Sequence, residues 1–230
     1  MPLDPSRTVA ELKELRELTG DADGAQRVAW TETWERARGW LRERVAETGA
    51  AESIDAAGNQ WFTLPGDSDR AVLLGGHIDS VPNGGWLDGC LNVLAGVEVL
   101  RHIASEGRPP VTVRLVNWAD EEGARFGRSL FGSSAAAGSM SDQDELRELT
   151  DRDGVPLPEA LAAHGVDLDS ALAARAELDT AAAYLELHIE QGPVLESLGL
   201  PLGVVLGTFG VERHRITWHG QAAHAGSTPM

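Results

Sequence analysis

At 230 residues and 42% hydrophobic content, the chain is long enough to bury a core and is globular rather than disordered in composition. Its length predicts one domain, or one and the start of another. A formal charge of −17 argues against nucleic acid or an anionic membrane as a partner. The one cysteine, Cys90, excludes an internal disulfide framework and fits a reducing cytoplasm. The opening MPLDPSRTVAELKELRELTG has no apolar centre, so no signal peptide is expected, and no apolar stretch is long enough to span a membrane.

In chain order, residues 8–18 and 31–48 read as amphipathic helices, the second stopping at Gly49 as a C-cap. Short extended runs near 52–55 and 60–64 flank an Ala57-Gly58-Asn59 turn. Ala71–Gly75 is a compact apolar run of the kind a buried strand shows, and His77 follows it directly. Asp88-Gly89 opens a helix through about residue 105, with Asp88 as a candidate N-cap and Leu91, Leu94, Ala95, Val99 and Ile103 on one face. Val111–Trp118 is a second core strand with Asp120-Glu121-Glu122 at its carboxyl end. Residues 140–180 are acidic and Ala-rich and read as short peripheral helices, interrupted at Pro156 and Pro158. Ala183–His188 is a third core strand, ending at His188, and Leu202–Thr208 and Glu212–His219 are two more. Alternating strands and helices predict an α/β fold, in which functional groups collect beyond the carboxyl ends of the strands.

Four stations on this pattern carry chemistry: His77, Asp88, the pair Glu121-Glu122, and His188. Imidazole suits borderline divalent metals, one carboxylate can bridge two ions, and another can take a proton from activated water. Adjacent carboxylates just past a buried strand repel, and a nearby dication is the simplest agent that holds both ionised. His102, His164, His214 and His219 have no such context and read as structural, and Cys90 reads as a packed helix residue.

Four stretches, GGHIDSVPNGGWLDG (75–89), WADEEGARFG (118–127), LELHIEQGPVLE (185–196) and WHGQAAHAGSTPM (218–230), together resemble the amidohydrolase branch of the dinuclear-metal peptidase superfamily. That branch contains N-carbamoyl-L-amino-acid hydrolases, β-ureidopropionases and allantoate amidohydrolases. The resemblance implies a three-layer zinc-peptidase-like catalytic domain, here incomplete over residues 1–208, and the first part of an α+β lid and dimerisation domain over 209–230. It implies two divalent ions, zinc or manganese, cobalt or nickel. His77 and His188 would be ligands of the first ion, Asp88 the bridging carboxylate and Glu122 a ligand of the second. Glu121 falls at the family's general base, and Asp79 would accept the second N–H of the His77 ring. Gln191 matches a residue that contacts substrate, and His224 matches a histidine that stabilises the oxyanion across a homodimer. The implied reaction is hydrolysis of a ureido C–N bond in an N-carbamoyl amino acid or allantoate-like compound, in the cytoplasm.

Family members continue past the position of Met230, with groups that anchor the substrate carboxylate and a closing histidine on the second ion. The 230-residue chain alone is therefore expected to turn over N-carbamoyl substrates negligibly. Two other readings compete: a dinuclear aminoacylase or dipeptidase, and a truncated, non-catalytic metal-binding fragment. The HIEQGP and HAGSTPM stretches weigh against the first of these.

Overall fold

A computed structural model describes residues 1–140, 143–208, 216–217, 219–224 and 226–227. The expected domain boundary at 208/209, most of the Glu212–His219 strand, His214 and much of HAGSTPM lie outside the described residues. Residues 1–189 form one compact unit and 190–230 another.

Helix α1 (Pro5–Thr19) starts three residues before the expected position. The Asp4 side chain accepts from the Ser6 and Arg7 N–H groups, and Pro5 at the first helical position has no N–H to leave unsatisfied. Helix α2 (Glu32–Ala46) is capped by Thr31 and ends before Gly49, which instead turns the chain at φ +72°. Strands β1 (Ala51–Ile54) and β2 (Gln60–Leu64) form a hairpin. Strand β3 (Ala71–His77) runs through the histidine itself, then α3 (Cys90–Glu106) returns the chain to β4 (Thr112–Trp118). Next come α4 (Phe131–Ala137), α5 (Gln143–Arg147), α6 (Leu157–Ala163) and a 3-10 helix (Ala171–Leu178). Strand β5 (Ala181–Leu185) closes the first unit's sheet, and the second unit holds a short α7 (Val194–Leu198).

The sheet order is β1-β2-β4-β3-β5. β3 lies parallel to both β4 and β5, while β2 is antiparallel to β4. This is the mixed α/β architecture that the sequence pattern predicts. Helix α3 packs on β3 and β4, with α1 and α2 against α3. On the other face, Arg114 of β4 lies over the Trp61 ring and donates to the Glu177 carbonyl of the 3-10 helix at 2.8 Å. That helix in turn packs on α4. Trp30, Trp34 and Phe131 meet edge to face in the core, with Trp30–Trp34 and Trp30–Phe131 centroids 4.8 and 5.7 Å apart.

Three expectations need correction. Strand β5 stops at Leu185, so His188 stands three residues past the ladder rather than at its last rung. Leu202–Thr208 is not a strand: it has no ladder partner among the described residues, and Val204, Val205 and Leu206 are exposed. β-branched composition describes a fit to a pleated, half-buried surface and supplies no such surface by itself. Asp88 does not cap α3 with its side chain, because Gly89 occupies the cap position at φ +64° with no side-chain cap bond. Helix α4 was not foreseen. It is short and Ala-rich, and its first N–H groups are satisfied by the loop after β4: Phe131 donates to the Asp120 carbonyl at 3.1 Å and Gly132 to that of Ala119 at 2.9 Å.

The three helices on the α3 side are tied by buried charge. Arg101 of α3 forms a two-pronged pair with Glu11 of α1 at 2.6 and 2.8 Å and also bonds Glu47 after α2. Glu98, one turn earlier, accepts from Arg7 twice at 2.8 Å and from the Asp4 N–H at 2.7 Å. His102 and His164 have structural partners, the Met1 carbonyl and the Glu35 carboxylate. Removing one member of a buried pair strands the other charge, at a cost of about 3–5 kcal/mol. Arg101→Met is therefore expected to lower the denaturant midpoint sharply, with an unchanged m-value, in equilibrium unfolding of chelator-treated protein.

Candidate metal centre

The site is assembled where β3 and β4 end. Their parallel register sets His77 beside Trp118, so the turns that follow, 78–80 and 119–123, leave the sheet together. Asp79 joins them: its two carboxylate oxygens accept the backbone N–H groups of Glu121 at 3.2 Å and Glu122 at 3.1 Å. The expected role of Asp79 toward His77 is filled mainly by its backbone. His77 Nδ1 lies 3.0 Å from the Asp79 carbonyl and 3.4 Å from its carboxylate.

Glycine makes the approach of these segments possible. A Cβ on Gly89 would sit 2.3 Å from the His77 carbonyl oxygen and 2.6 Å from two ring carbons. A Cβ on Gly76 would meet Asn92 at 2.5 Å, and one on Gly75 would enter the Tyr184 ring. The glycines of the Gly-Gly-His and Asp-Gly sequences are thus steric requirements of one packed corner.

His77, Asp88 and His188 each offer a ligand atom, and these atoms lie within 4.8 Å of one another. His188 Nε2 is 3.4 Å from Asp88 Oδ1, and His77 Nε2 is 3.6 Å from Glu121 Oε2. Both imidazoles face backbone carbonyls through Nδ1, His77 toward Asp79 and His188 toward Ile189 at 2.6 Å. A carbonyl only accepts, so each Nδ1 carries the proton and each Nε2 turns a lone pair toward a carboxylate. That arrangement is repulsive unless a proton or a cation lies between, and the nitrogen and oxygen donor set suits a borderline divalent ion. The residues present therefore fit a metal.

The electrostatics agree. Burial alone would lower the pKa of His77, but the Asp79 bond and the charges of Asp79, Glu121 and Asp88 push it up to about 9. Glu121 and Glu122 are both pushed above the usual carboxylate range, chiefly by burial and by neighbouring carboxylates, with His77 opposing. Asp120 is buried, accepts from the Trp30 indole N–H at 2.9 Å and is likewise shifted upward by burial and by Asp79.

Several of the groups at the site were not singled out from sequence. Glu186 accepts from Asn92 at 2.7 Å and from the Tyr184 hydroxyl, which itself accepts from Trp118 at 2.9 Å. Burial and Glu186 both raise the Tyr184 pKa. The signal was the i, i+2 spacing of Tyr184, Glu186 and His188 in the YLELHIEQG run, which continues past the end of β5. Glu121 and Glu186 form the polar end of a cleft of about 480 Å³ that continues over Leu73, Trp118 and Leu178. Among the described residues, the three-ligand grouping does not include Glu122. Gln191, at φ +53°, and His224 belong to residues 190–230 and are both exposed.

Residues 73–229 match the description "Peptidase family M20/M25/M40". The chain belongs to this family. Hydrolases of the family are generally dependent on a dinuclear metal centre. Relatives include an N-carbamoyl-L-amino acid amidohydrolase of Geobacillus stearothermophilus, 42% identical over 90% of this chain and 51% of the relative. An allantoate amidohydrolase of Escherichia coli is 37% identical over 91% of this chain and 51% of its own length. Among solved structures, a hydantoinase/carbamoylase family amidase from Burkholderia ambifaria superposes with a TM-score of 0.73 at 32% identity, covering 86% of this chain and 48% of that one. The chain thus spans about half the length of the curated relatives it matches. No helix among the described residues is long and apolar enough to cross a membrane.

In cation-free protein, His77 titrates near pH 9 when folded and near its ordinary 6.5 when unfolded. The folded state then binds the extra proton, so its contribution to stability is complete below about pH 6.5 and is lost as pH rises through about 9. The raised carboxylates act in the same direction at lower pH. The melting temperature of chelator-treated protein is expected to fall by several degrees between pH 7 and 9.5, and to fall less in His77→Gln. Thermal melts across that range check this.

Proposed function

We propose that this chain carries the metal-binding half of an amidohydrolase that cleaves the ureido C–N bond of an N-carbamoyl amino acid or an allantoate-like compound. The observation that carries the reading is the convergence of His77, Asp88 and His188, with Glu121 beside the His77 Nε2. The names of the relatives support ureido compounds over peptides or N-acyl amino acids as the substrate class.

In this reading His77, His188 and Asp88 would hold a first divalent ion, and Asp88 with Glu122 would hold a second. When bound, the ions lower the pKa of water and polarise the substrate carbonyl. Asp79 holds the His77 ring and the Glu121-Glu122 turn in one rigid corner. Glu121, its proton affinity raised by burial, takes a proton from the attacking water and passes it to the leaving nitrogen. Oxygen adds to the ureido carbonyl carbon, the bond from that carbon to the amino-acid nitrogen breaks, and the free amine leaves with the transferred proton. The carbamic acid that remains decomposes to ammonia and carbon dioxide. Gln191 and His224 are the proposed substrate contacts, His224 reaching it from a second copy of the chain in a homodimer. A cytoplasmic setting belongs to the same proposal, and the single, buried thiol fits it.

Two measurements bear on this. Cation stoichiometry of chelator-washed, reloaded protein should fall in His77→Ala and His188→Ala, and unchanged stoichiometry in both would remove the ligand assignment. In the full-length protein, Glu121→Gln is expected to keep its metal and lose about 10²–10⁴-fold in turnover of N-carbamoyl substrates. Glu122→Gln should instead lose the second ion. Preference for N-acetyl amino acids or dipeptides over N-carbamoyl amino acids in the same assay would overturn the substrate class.

A further inference from the structure

Arg27 is completely buried, yet among the described residues no carboxylate lies within ion-pair distance of its guanidinium. Its three hydrogen bonds go to neutral acceptors: Nε to the Ile78 carbonyl at 2.7 Å, Nη1 to Thr19 Oγ1 at 3.2 Å and Nη2 to Cys90 Sγ at 3.0 Å. Its backbone is equally engaged, because the Arg27 N–H donates to Ser80 Oγ at 3.0 Å and the Ser80 N–H donates back to the Arg27 carbonyl at 3.0 Å. Desolvating a guanidinium without a counter-charge is costly, and an apolar side chain would fill the same space at less expense to stability. The contacts therefore call for an explanation other than folding energy.

Their location supplies one. Ile78 lies between His77 and Asp79, and its own N–H is fixed to Asn117 Oδ1 at 3.0 Å. Cys90 is the first residue of α3, two after Asp88, so the Nη2 bond to its Sγ reaches the segment that carries that carboxylate. One rigid fork thus spans the segment that carries the His77 ring and the segment that carries the Asp88 carboxylate. We propose that Arg27 is a positioning residue of the metal centre, setting the separation of His77 and Asp88 through the Ile78 carbonyl and Cys90 Sγ. This rests on the metal-site reading above.

The sign of one measurement separates this role from two others. A fixed positive charge near a dication repels it, so a bystander Arg27 would weaken metal binding and its removal would tighten it. A residue serving only stability would leave the affinity of folded protein unchanged. A positioning residue does the reverse of the bystander: its loss loosens the site, by about 10–100-fold for supporting groups of this kind.

The experiment is a cobalt(II) titration of chelator-washed wild type, His77→Ala, Arg27→Met and Arg27→Lys, read by visible absorption and by competition with a chelating dye. Circular dichroism and melting of the cation-free proteins report folding separately. Wild type is expected to give a signal that His77→Ala abolishes. Arg27→Met should bind about 10–100-fold more weakly with an altered absorption band. Arg27→Lys should also fall short, because an ammonium keeps the charge but has no planar fork to span three acceptors. Wild-type or tighter affinity in either folded variant overturns the proposal. Should both variants fail to fold, Cys90→Ala deletes the one Sγ acceptor, and wild-type affinity there overturns it equally, while loosened binding supports it. Absence of a His77-dependent signal in wild type sinks the metal-site reading itself, a result distinct from any outcome in the Arg27 variants.

Discussion

The parallel pairing of β3 with β4 is the constraint from which the rest of the site follows. In that register His77 and Trp118 are neighbours at the same level of the sheet, so two consecutive turns emerge side by side with their side chains committed to one crevice. An antiparallel pair would have sent one of these turns to the opposite end. The crossover through α3 that a parallel pair requires brings Asp88 and Gly89 back across the same strand end. Topology thus gathers three separate stretches of sequence before any side chain contributes energy.

What the side chains then build is unfavourable when taken alone. Four carboxylates, Asp79, Asp88, Glu121 and Glu122, are held about two imidazoles whose Nε2 atoms point at oxygen. The protein spends its available hydrogen bonds on holding that geometry: Asp79 on two backbone amides, and the Asp79 and Ile189 carbonyls on the two rings. Preorganised repulsion of this kind is what selects a divalent cation over a proton, since one ion relieves several charges at once.

Much of this was legible in the chain, and the limits are instructive. His77, Asp88 and His188 could be named because each falls where the pattern ends a strand or begins a helix, and strand ends on one side of an α/β sheet converge by rule. Helix α4 escaped because Phe131–Ala137 has no strong amphipathic stripe and owes its start to carbonyls of the loop after β4. Leu202–Thr208 was read as a strand because its apolar, valine-containing composition resembles one, whereas a strand exists only through its partner. Arg27 gave no signal, since a basic residue between Gly24 and Trp30 looks like any loop charge until the structure buries it. The Tyr184–Glu186–Asn92 chain of hydrogen bonds was visible only as an i, i+2 spacing, because Asn92 comes from α3, far away in sequence.

Cys90 is the sole thiol of the chain and is fully buried at the first position of α3, two residues after Asp88. A reagent can reach its sulfur only when that corner opens, so the rate of thiol labelling reports that opening without any engineered cysteine. The chain therefore contains its own gauge of how firmly the crevice is shut. A labelling rate that tracks global unfolding would mean the corner opens only with the whole domain. A faster rate would mean that it breathes on its own.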